Sequence, residues 1–166
     1  MSDPISGAKE HIDAARKLAA TVDDIPADTQ LLPINRVGVI GAGTMGGGIT
    51  MNFLTAGIPV TIVEMTQEAL DRGVATMGKN YENTVKRGKM EAADAQAAMA
   101  RLTPTLDFGA LAEADLVIEA VYESMDVKKD VFGRLDKVAK PGAILASNTS
   151  YLDIDEIAAV TSRPES

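Results

Sequence analysis

Residues 37–46 read Val-Gly-Val-Ile-Gly-Ala-Gly-Thr-Met-Gly, and this stretch decides the fold. Four residues typical of a buried strand run directly into three glycines, Gly41, Gly43 and Gly46, with the spacing G-x-G-x-x-G. In a strand–turn–helix unit the first glycine allows the tight turn, the second lets the backbone approach a pyrophosphate, and the third lets the helix pack closely on the strand. The anion then lies at the helix N-terminus, where free N–H groups and the helix dipole favour negative charge. Alone the motif is weak, because glycine-rich turns are common.

The next apolar run ends in a carboxylate, which strengthens this interpretation. Residues 59–63 form a strand-like segment, and Glu64 follows it at about 20 residues from the glycine loop, where dinucleotide-binding proteins carry an acidic residue. A carboxylate there accepts hydrogen bonds from the adenosine ribose hydroxyls and repels a 2′-phosphate. The sequence therefore predicts NAD as the cofactor in preference to NADP. An ordinary solvated glutamate at a strand end is the alternative.

The remaining pattern from residue 36 onward alternates short β-rich runs with longer helical ones. The predicted strands cover residues 36–40, 59–64, 103–106, 115–120 and 143–147. The predicted helices cover residues 44–55, 67–87, 92–101, 125–137 and 153–160. This alternation predicts an α/β fold, a Rossmann-like doubly wound, mostly parallel sheet with helices on both faces.

The first 35 residues have a different character. A short helical pattern places apolar or small residues at Ile12, Ala15, Leu18 and Ala19, and a proline-bearing connector follows at 25–33. We therefore expect a leading helix and linker over residues 1–35. Residues 36–166 are expected to form a dinucleotide-binding domain that is incomplete at its C-terminal end.

Composition and charge exclude several classes of protein. With 46% apolar and 24% charged residues among 166, the chain is expected to fold as about one domain. Its net charge of -8 has the wrong sign for a nucleic acid or an anionic membrane surface. The sequence has no cysteine and a single histidine, so it can form neither a cysteine-ligated metal site nor a cluster of histidine ligands. No targeting signal is apparent, so we expect a cytoplasmic protein of bacterial type; a peroxisomal or mitochondrial parent is the alternative.

Polar residues follow the fourth and fifth predicted strands. The carboxyl ends of parallel strands meet at one edge of a sheet, where ligands bind, so Glu123 could face the cofactor cleft. Glu119 interrupts an apolar run, so either it pairs with a donor or the strand ends before it. Lys128 falls in the first turn of a predicted helix, where the dipole disfavours a cation, so a carboxylate partner and a solvated position are equally expected. The small polar residues 147–150 could hydrogen-bond a substrate oxygen or cap the next helix.

From residue 36 onward the chain resembles the NAD-binding domain of 3-hydroxyacyl-CoA dehydrogenases, the enzymes of the third step of fatty acid β-oxidation. The glycine loop, Val-Ile-Glu-Ala-Val-Tyr-Glu at 117–123 and Ala-Ser-Asn-Thr-Ser at 146–150 carry the resemblance. It implies an oxidoreductase that converts (S)-3-hydroxyacyl-CoA and NAD to 3-oxoacyl-CoA and NADH. The connector at 24–29 resembles the link in multifunctional forms, where an enoyl-CoA hydratase domain comes first.

The resemblance also implies the residues of the site. Ser150 would hydrogen-bond the substrate oxygen and orient the reacting carbon at the catalytic centre. A basic cluster at 86–89 would lie near the coenzyme A phosphates, or would only complement a helix dipole. The residues that the resemblance assigns to the cofactor are Gly41, Ala42, Gly43, Thr44, Met45, Gly46, Glu64, Ala120, Val121, Glu123, Lys128, Asn148 and Ser150.

One departure from the family pattern bears on catalysis. The family's general base is a histidine that comes shortly after the serine cluster, and this sequence ends at Ser166 before such a residue. Its only histidine, His11, lies in the leading segment. We expect this chain to lack the family's helical C-terminal domain as well. We therefore expect a fragment that binds NAD(H) with little or no turnover. The alternatives are another β-hydroxyacid dehydrogenase, and a non-catalytic NAD-binding or crystallin-like protein.

Overall fold

A computed structural model describes residues 4–19, 25, 26 and 28–166. The chain divides into two units, Met1–Leu32 and Pro33–Ser166. The first unit contains helix α1, Pro4–Ala19, which includes the four positions of the predicted helical pattern. The resemblance of the connector at 24–29 to the link of multifunctional enzymes rests partly on residues 24 and 27, which lie outside the described residues.

The second unit is built on a sheet of five parallel strands in the order β3-β2-β1-β4-β5. The strands are β1 Val37–Ile40, β2 Val60–Val63, β3 Leu102–Thr105, β4 Leu116–Glu119 and β5 Ile144–Ser147. The predicted α/β, Rossmann-like sheet is confirmed, and all of its strand pairs are parallel. Strand β3 begins and ends one residue earlier than predicted.

Helices cover both faces of this sheet. They are α2 Thr44–Thr55, α3 Gln67–Lys86, α4 Ala92–Met99, α5 Met125–Val138 and α6 Ile154–Ala158. One core joins α2, α3 and α4 to Val37 and Val39, and the other joins α5 and α6 to Ile40 and Val117. The alternation of side chains along β1 thus supplies apolar residues to both faces, as a doubly wound sheet requires.

Side-chain caps mark the starts of two of these helices. Thr66 accepts a hydrogen bond from the Ala69 N–H and begins α3, and Asp153 accepts from Asp155 and Glu156 and begins α6. The last helix is shorter than predicted and ends at Ala158. A 3₁₀ helix at Phe108–Leu111, capped by Asp107, was not predicted.

Strand register brings the functional candidates to one edge of the sheet. Ile40 lies opposite both Val63 and Glu119, and Glu119 lies opposite Ser147. The glycine loop and the residues that follow β2, β4 and β5 therefore share this edge, which we call the carboxyl edge.

Candidate functional site

The glycine loop follows β1 at the carboxyl edge and has little room for side chains at two positions. Gly41 has a φ of 98°, and a Cβ added there would lie 2.6 Å from the carbonyl oxygen of Ala120. A Cβ at Gly46 would overlap the carbonyl oxygen of Gly41. A Cβ added at Gly43 would meet no atom within 4 Å, so the backbone surface of Gly43 is open to a ligand.

The open surface at Gly43 coincides with the start of α2. Gly43 is the N-cap residue and supplies no side-chain hydrogen bond, and Thr44 and Met45 after it are exposed. The first N–H groups of a helix have no partner within the helix. This N-terminus therefore offers donors and positive dipole potential to an anion above Gly43.

Glu64 directly follows β2 and is hydrogen-bonded to the glycine loop. Its Oε1 atom accepts from the N–H of Ala42 at 2.8 Å, and its Oε2 atom accepts from the N–H of Met65 at 2.9 Å. A carboxylate has about four acceptor sites, so two remain for a ligand. Two backbone N–H groups thus fix the orientation of the carboxylate that was predicted to hold a ribose.

A cleft of about 610 Å³ opens at the carboxyl edge beside the loop, and we call it the loop cleft. Several of the sequence-predicted residues line it, namely Gly41, Gly43, Thr44, Met45, Glu64, Ala120 and Val121. Its other walls are Ile40, Val63, Met65, Phe108, Tyr122, Val127, Asp130, Val131 and Arg134. A largely apolar cleft with a few polar groups is the usual form of a small-molecule site.

Sequence reasoning missed the wall that α5 contributes to the loop cleft. Val127, Asp130 and Arg134 are spaced by three and four residues, which places them on one side of the helix. The Arg134 guanidinium carbon lies 4.1 Å from the centroid of the Phe108 ring, a cation–π contact between two residues that line the cleft. The helical spacing was a usable signal, whereas the contact with Phe108 depends on the unpredicted 3₁₀ helix.

A buried ion-pair network lies at the same edge beneath the turn after β4. The Lys128 Nζ atom lies 2.8 and 2.9 Å from the two carboxylate oxygens of Glu119 and 3.1 Å from Oε2 of Glu123. The side chains of Lys128 and Glu119 are 0% exposed. The expected carboxylate partner of Lys128 is therefore confirmed, and the solvated alternative is wrong. We call these three residues the Glu119–Lys128–Glu123 network.

Glu119 connects three segments of this edge. Besides Lys128, it accepts hydrogen bonds from the N–H of Val121 at 2.7 Å and from the hydroxyl of Ser147 at 2.6 Å. Of the two options that the sequence left open, strand β4 continues through Glu119 and the carboxylate pairs with donors. A buried carboxylate with every oxygen hydrogen-bonded avoids the desolvation penalty that an unpaired one would carry.

Glu123 extends the network to the turn that follows β5. Its Oε1 atom accepts from the hydroxyl of Thr149 at 2.5 Å and from the N–H of Ser150 at 3.0 Å. These two hydrogen bonds and the ammonium of Lys128 lower the pKa of Glu123 from 4.5 to about 2. The backbone N–H of Asn148 donates to the carbonyl oxygen of Glu119 at 2.8 Å, which fixes the same turn.

The structure thus places the predicted site residues in two adjoining groups. The glycine loop, Glu64 and the start of the β4–α5 turn line the loop cleft, whereas the Lys128 side chain is buried and paired with Glu119 and Glu123. Ser150 is exposed beside Glu123. His11 lies on α1, in the other unit. The residues at hand fit a dinucleotide, since an open backbone, a helix N-terminus and an oriented carboxylate match a diphosphate and a ribose.

The part of the chain that the structure describes contains no cluster of three or more histidine, cysteine or acidic side chains arranged to hold a metal ion. Over the same residues, every helix is too short or too polar to span a bilayer.

Comparisons with known proteins agree with this geometry. A family profile described as "3-hydroxyacyl-CoA dehydrogenase, NAD binding domain" matches residues 36–166. The 3-hydroxybutyryl-CoA dehydrogenase of Clostridioides difficile is 42% identical over 130 residues, which cover 78% of this chain and 46% of that protein. The fatty acid oxidation complex subunit alpha of Psychrobacter arcticus is 41% identical over 132 residues, which cover 80% of this chain and 18% of that protein.

A solved structure shows the same relationship. The crystal structure of 3-hydroxybutyryl-CoA dehydrogenase from Escherichia coli superimposes with a TM-score of 0.79 at 40% identity, covering 81% of this chain and 28% of that one. The chain spans less than half the length of each of these three relatives. The profile match covers most of the sequence and includes the whole sheet and both groups of site residues. The chain therefore belongs to the 3-hydroxyacyl-CoA dehydrogenase family and carries its NAD-binding domain.

Proposed function

We propose that this chain binds NAD(H) across the carboxyl edge of its sheet. The diphosphate lies over the open backbone of Gly43 at the N-terminus of α2, and the adenosine ribose lies against Glu64. The adenine occupies the loop cleft, and the nicotinamide half extends towards Glu123 and Ser150. The observation that carries the proposal is the contrast within the loop: Gly41 and Gly46 are packed against backbone, whereas Gly43 is open beside an oriented carboxylate.

The position of Glu64 supports a preference for NAD over NADP. Its carboxylate is held at the cleft by the N–H groups of Ala42 and Met65, so it does not rotate away to admit a second anion. A 2′-phosphate on the ribose would meet this negative charge at close range. The two remaining acceptor sites suit the two hydroxyls of an unmodified ribose.

We further propose that the whole protein oxidises (S)-3-hydroxyacyl-CoA to 3-oxoacyl-CoA in fatty acid β-oxidation. NAD supplies the hydride acceptor when it is bound. The Ser150 hydroxyl, exposed beside Glu123, hydrogen-bonds the substrate oxygen and orients the reacting carbon. The names of the relatives from Clostridioides difficile and Escherichia coli support this substrate class.

Two finer points belong to the same proposal. The relationship to a fatty acid oxidation complex subunit, of which this chain matches 18%, supports a multifunctional parent with a hydratase domain. The bacterial sources of several relatives support a cytoplasmic location.

The substrate proton needs a general base, and residues 36–166 contain no histidine. We therefore expect binding of NAD(H) by this chain without appreciable reduction of acetoacetyl-CoA.

A pair of titrations tests the cofactor assignment. The fluorescence of NADH and the heat of binding of NADPH are measured with the wild-type chain and with Glu64→Gln. We expect saturable NADH binding, weaker NADPH binding, and a loss of roughly ten- to hundredfold in NADH affinity for Glu64→Gln, since charged hydrogen bonds contribute about 1.5–3 kcal/mol. Glu82→Gln, near the other end of α3 with an exposed side chain, is the matched control and should bind NADH as the wild type does. Equal affinity for both cofactors, or an unchanged Glu64→Gln, would contradict the assignment.

A further inference from the structure

The Glu119–Lys128–Glu123 network is not electrically neutral. It contains two carboxylates and one ammonium, so its net charge is one negative unit. Lys128 and Glu119 are both 0% exposed and bond each other through two contacts of 2.8 and 2.9 Å. Together these two residues form a buried ion pair whose charges sum to zero. The uncompensated negative charge therefore resides on Glu123, whose side chain is 26% exposed.

Glu123 is both held in place and held in its charged form. One carboxylate oxygen accepts from the Thr149 hydroxyl and the Ser150 N–H, and the other faces the Lys128 ammonium at 3.1 Å. These donors keep its pKa near 2, so the group carries a full charge at any pH at which the protein is assayed. An oriented charge of this kind interacts with a ligand without first reorganising, which makes its field effective.

The two redox forms of the cofactor differ in charge only at the nicotinamide ring. The ring is cationic in NAD⁺ and neutral in NADH, because the transferred hydride carries the electron pair that neutralises it. The diphosphate has the same charge in both forms. Repulsion between Glu123 and the diphosphate is therefore common to both forms and cancels in the ratio of their dissociation constants.

We propose that the residual negative charge of the network stabilises the oxidised nicotinamide ring relative to the reduced one, so that the site is biased electrostatically towards NAD⁺. This inference rests on the proposed function, which puts the nicotinamide half next to Glu123. Glu123 acts by its charge, and Glu119 acts by neutralising Lys128, since without Glu119 the ammonium would cancel the charge of Glu123.

The size of the bias follows from the partial exposure of Glu123. At an effective dielectric constant of about 20, the attraction between a carboxylate and a cationic ring a few ångströms away is much weaker than in a dry interior. Solvent and salt reduce this attraction further. We expect the ratio Kd(NAD⁺)/Kd(NADH) to rise about three- to tenfold when the charge is removed, a range typical of single charges at partly exposed sites.

The test compares dissociation constants of NAD⁺, NADH and ADP-ribose for the wild-type chain, Glu123→Gln and Glu123→Asp. We expect Glu123→Gln to raise the ratio Kd(NAD⁺)/Kd(NADH), and Glu123→Asp, which keeps the charge, to restore a ratio close to that of the wild type. ADP-ribose lacks the nicotinamide and reports any general damage to the site. Glu113→Gln removes the same charge at the opposite edge of the sheet and should leave the ratio unchanged.

The outcomes separate the two proposals. Failure of the wild-type chain to bind any of the three ligands overturns the proposed function. Binding with the same ratio in Glu123→Gln and the wild type overturns the inference alone. If Glu123→Gln does not fold, the wild-type ratio is measured at about 0.01 M and 1 M salt, where the Debye length falls from about 30 to 3 Å. The ratio must then rise with salt, and a constant ratio contradicts the inference.

Discussion

Gly46 and Gly48 lie two residues apart on α2, but only Gly48 has room for a side chain. A Cβ at Gly46 would overlap the carbonyl oxygen of Gly41, whereas a Cβ at Gly48 meets no atom within 4 Å. We expect Gly46→Ala to lower the free energy of unfolding by about 1–3 kcal/mol through overpacking. Gly48→Ala should raise it by about 0.5–1 kcal/mol, because glycine is unfavourable within a helix. Urea unfolding of both variants checks this, and changes of the same sign would contradict it.

Thr50 and Thr55, on the same helix, form a second matched pair. Among the described residues, the Thr50 hydroxyl is buried without a hydrogen-bond partner, whereas the Thr55 hydroxyl lies 2.9 Å from the Tyr81 hydroxyl. Thr50→Val replaces an unpaired polar group by a methyl group of similar volume and should raise the free energy of unfolding by about 1 kcal/mol. Thr55→Val removes a formed hydrogen bond and should lower it by up to about 1 kcal/mol. Thermal or urea unfolding distinguishes the two, and a destabilised Thr50→Val would show that its hydroxyl has a partner in solution.

Individual site residues could be identified from the sequence where their role depends on residues close to them in the chain. The three loop glycines and Glu64 were recognised because a strand, a turn and a helix succeed each other within a short segment. The ion pair of Glu119 with Lys128 was predicted only as one of two options for each residue: the strand could have ended before Glu119, and Lys128 could have been solvated. The contact of Arg134 with Phe108 was not predictable, because it depends on how two distant elements pack.

At the scale of elements, Asp115 joins the start of β4 to two other segments. Its carboxylate lies 2.6 Å from the Lys140 ammonium, before β5, and accepts from the N–H groups of Asn35 and Arg36, before β1. The Lys140 contact and the two backbone hydrogen bonds lower the pKa of Asp115 from 3.8 to about 2. As the pH falls, a carboxyl whose pKa is lower in the folded state becomes protonated at a higher pH in the unfolded chain than in the folded one. Its contribution to the free energy of unfolding is therefore fully present above pH 3.8 and is lost as the pH falls towards 2.

The corresponding prediction concerns the pH dependence of stability. We expect the free energy of unfolding of the wild-type chain to fall between pH 4 and pH 2, and Asp115→Asn to be less stable at pH 6 but to show a smaller fall over that interval. Urea unfolding between pH 6 and pH 2 measures both. Asp94→Asn, an exposed position in the first turn of α4, controls for the loss of one charge. Parallel pH profiles for Asp115→Asn and the wild type would contradict the prediction.

The elements differ in how well local sequence determines them. Helices α2 to α5 were predicted to within two residues because the periodicity of their apolar residues is local, and α3 also has a side-chain cap at Thr66. The 3₁₀ helix was missed because four residues carry too little pattern, and its position depends on a distant glycine. A Cβ at Gly38 on β1 would lie 2.6 Å from Leu111, so the absence of a side chain there allows the 3₁₀ helix to pack on the sheet.

At the scale of the whole molecule, the alternation of strands and helices and the three motifs were sufficient to predict the parallel sheet and the family. Register was not predictable in detail, and it is register that places Ser147 opposite Glu119 and so completes the buried network. Because a shift of one residue moves every side chain to the other face, the network could be identified only after the strands were paired.

The proposed function requires a dinucleotide to lie across the carboxyl edge, with its diphosphate at Gly43 and its ribose at Glu64. The most direct test follows the backbone amide resonances of this chain by NMR during a titration with NADH. We expect saturable shifts for the amides of Gly43, Thr44 and Met65, and little change at Asp115 and Gly142, which lie at the amino ends of the strands. Unshifted loop amides at saturating NADH, or shifts confined to the opposite edge, would contradict it.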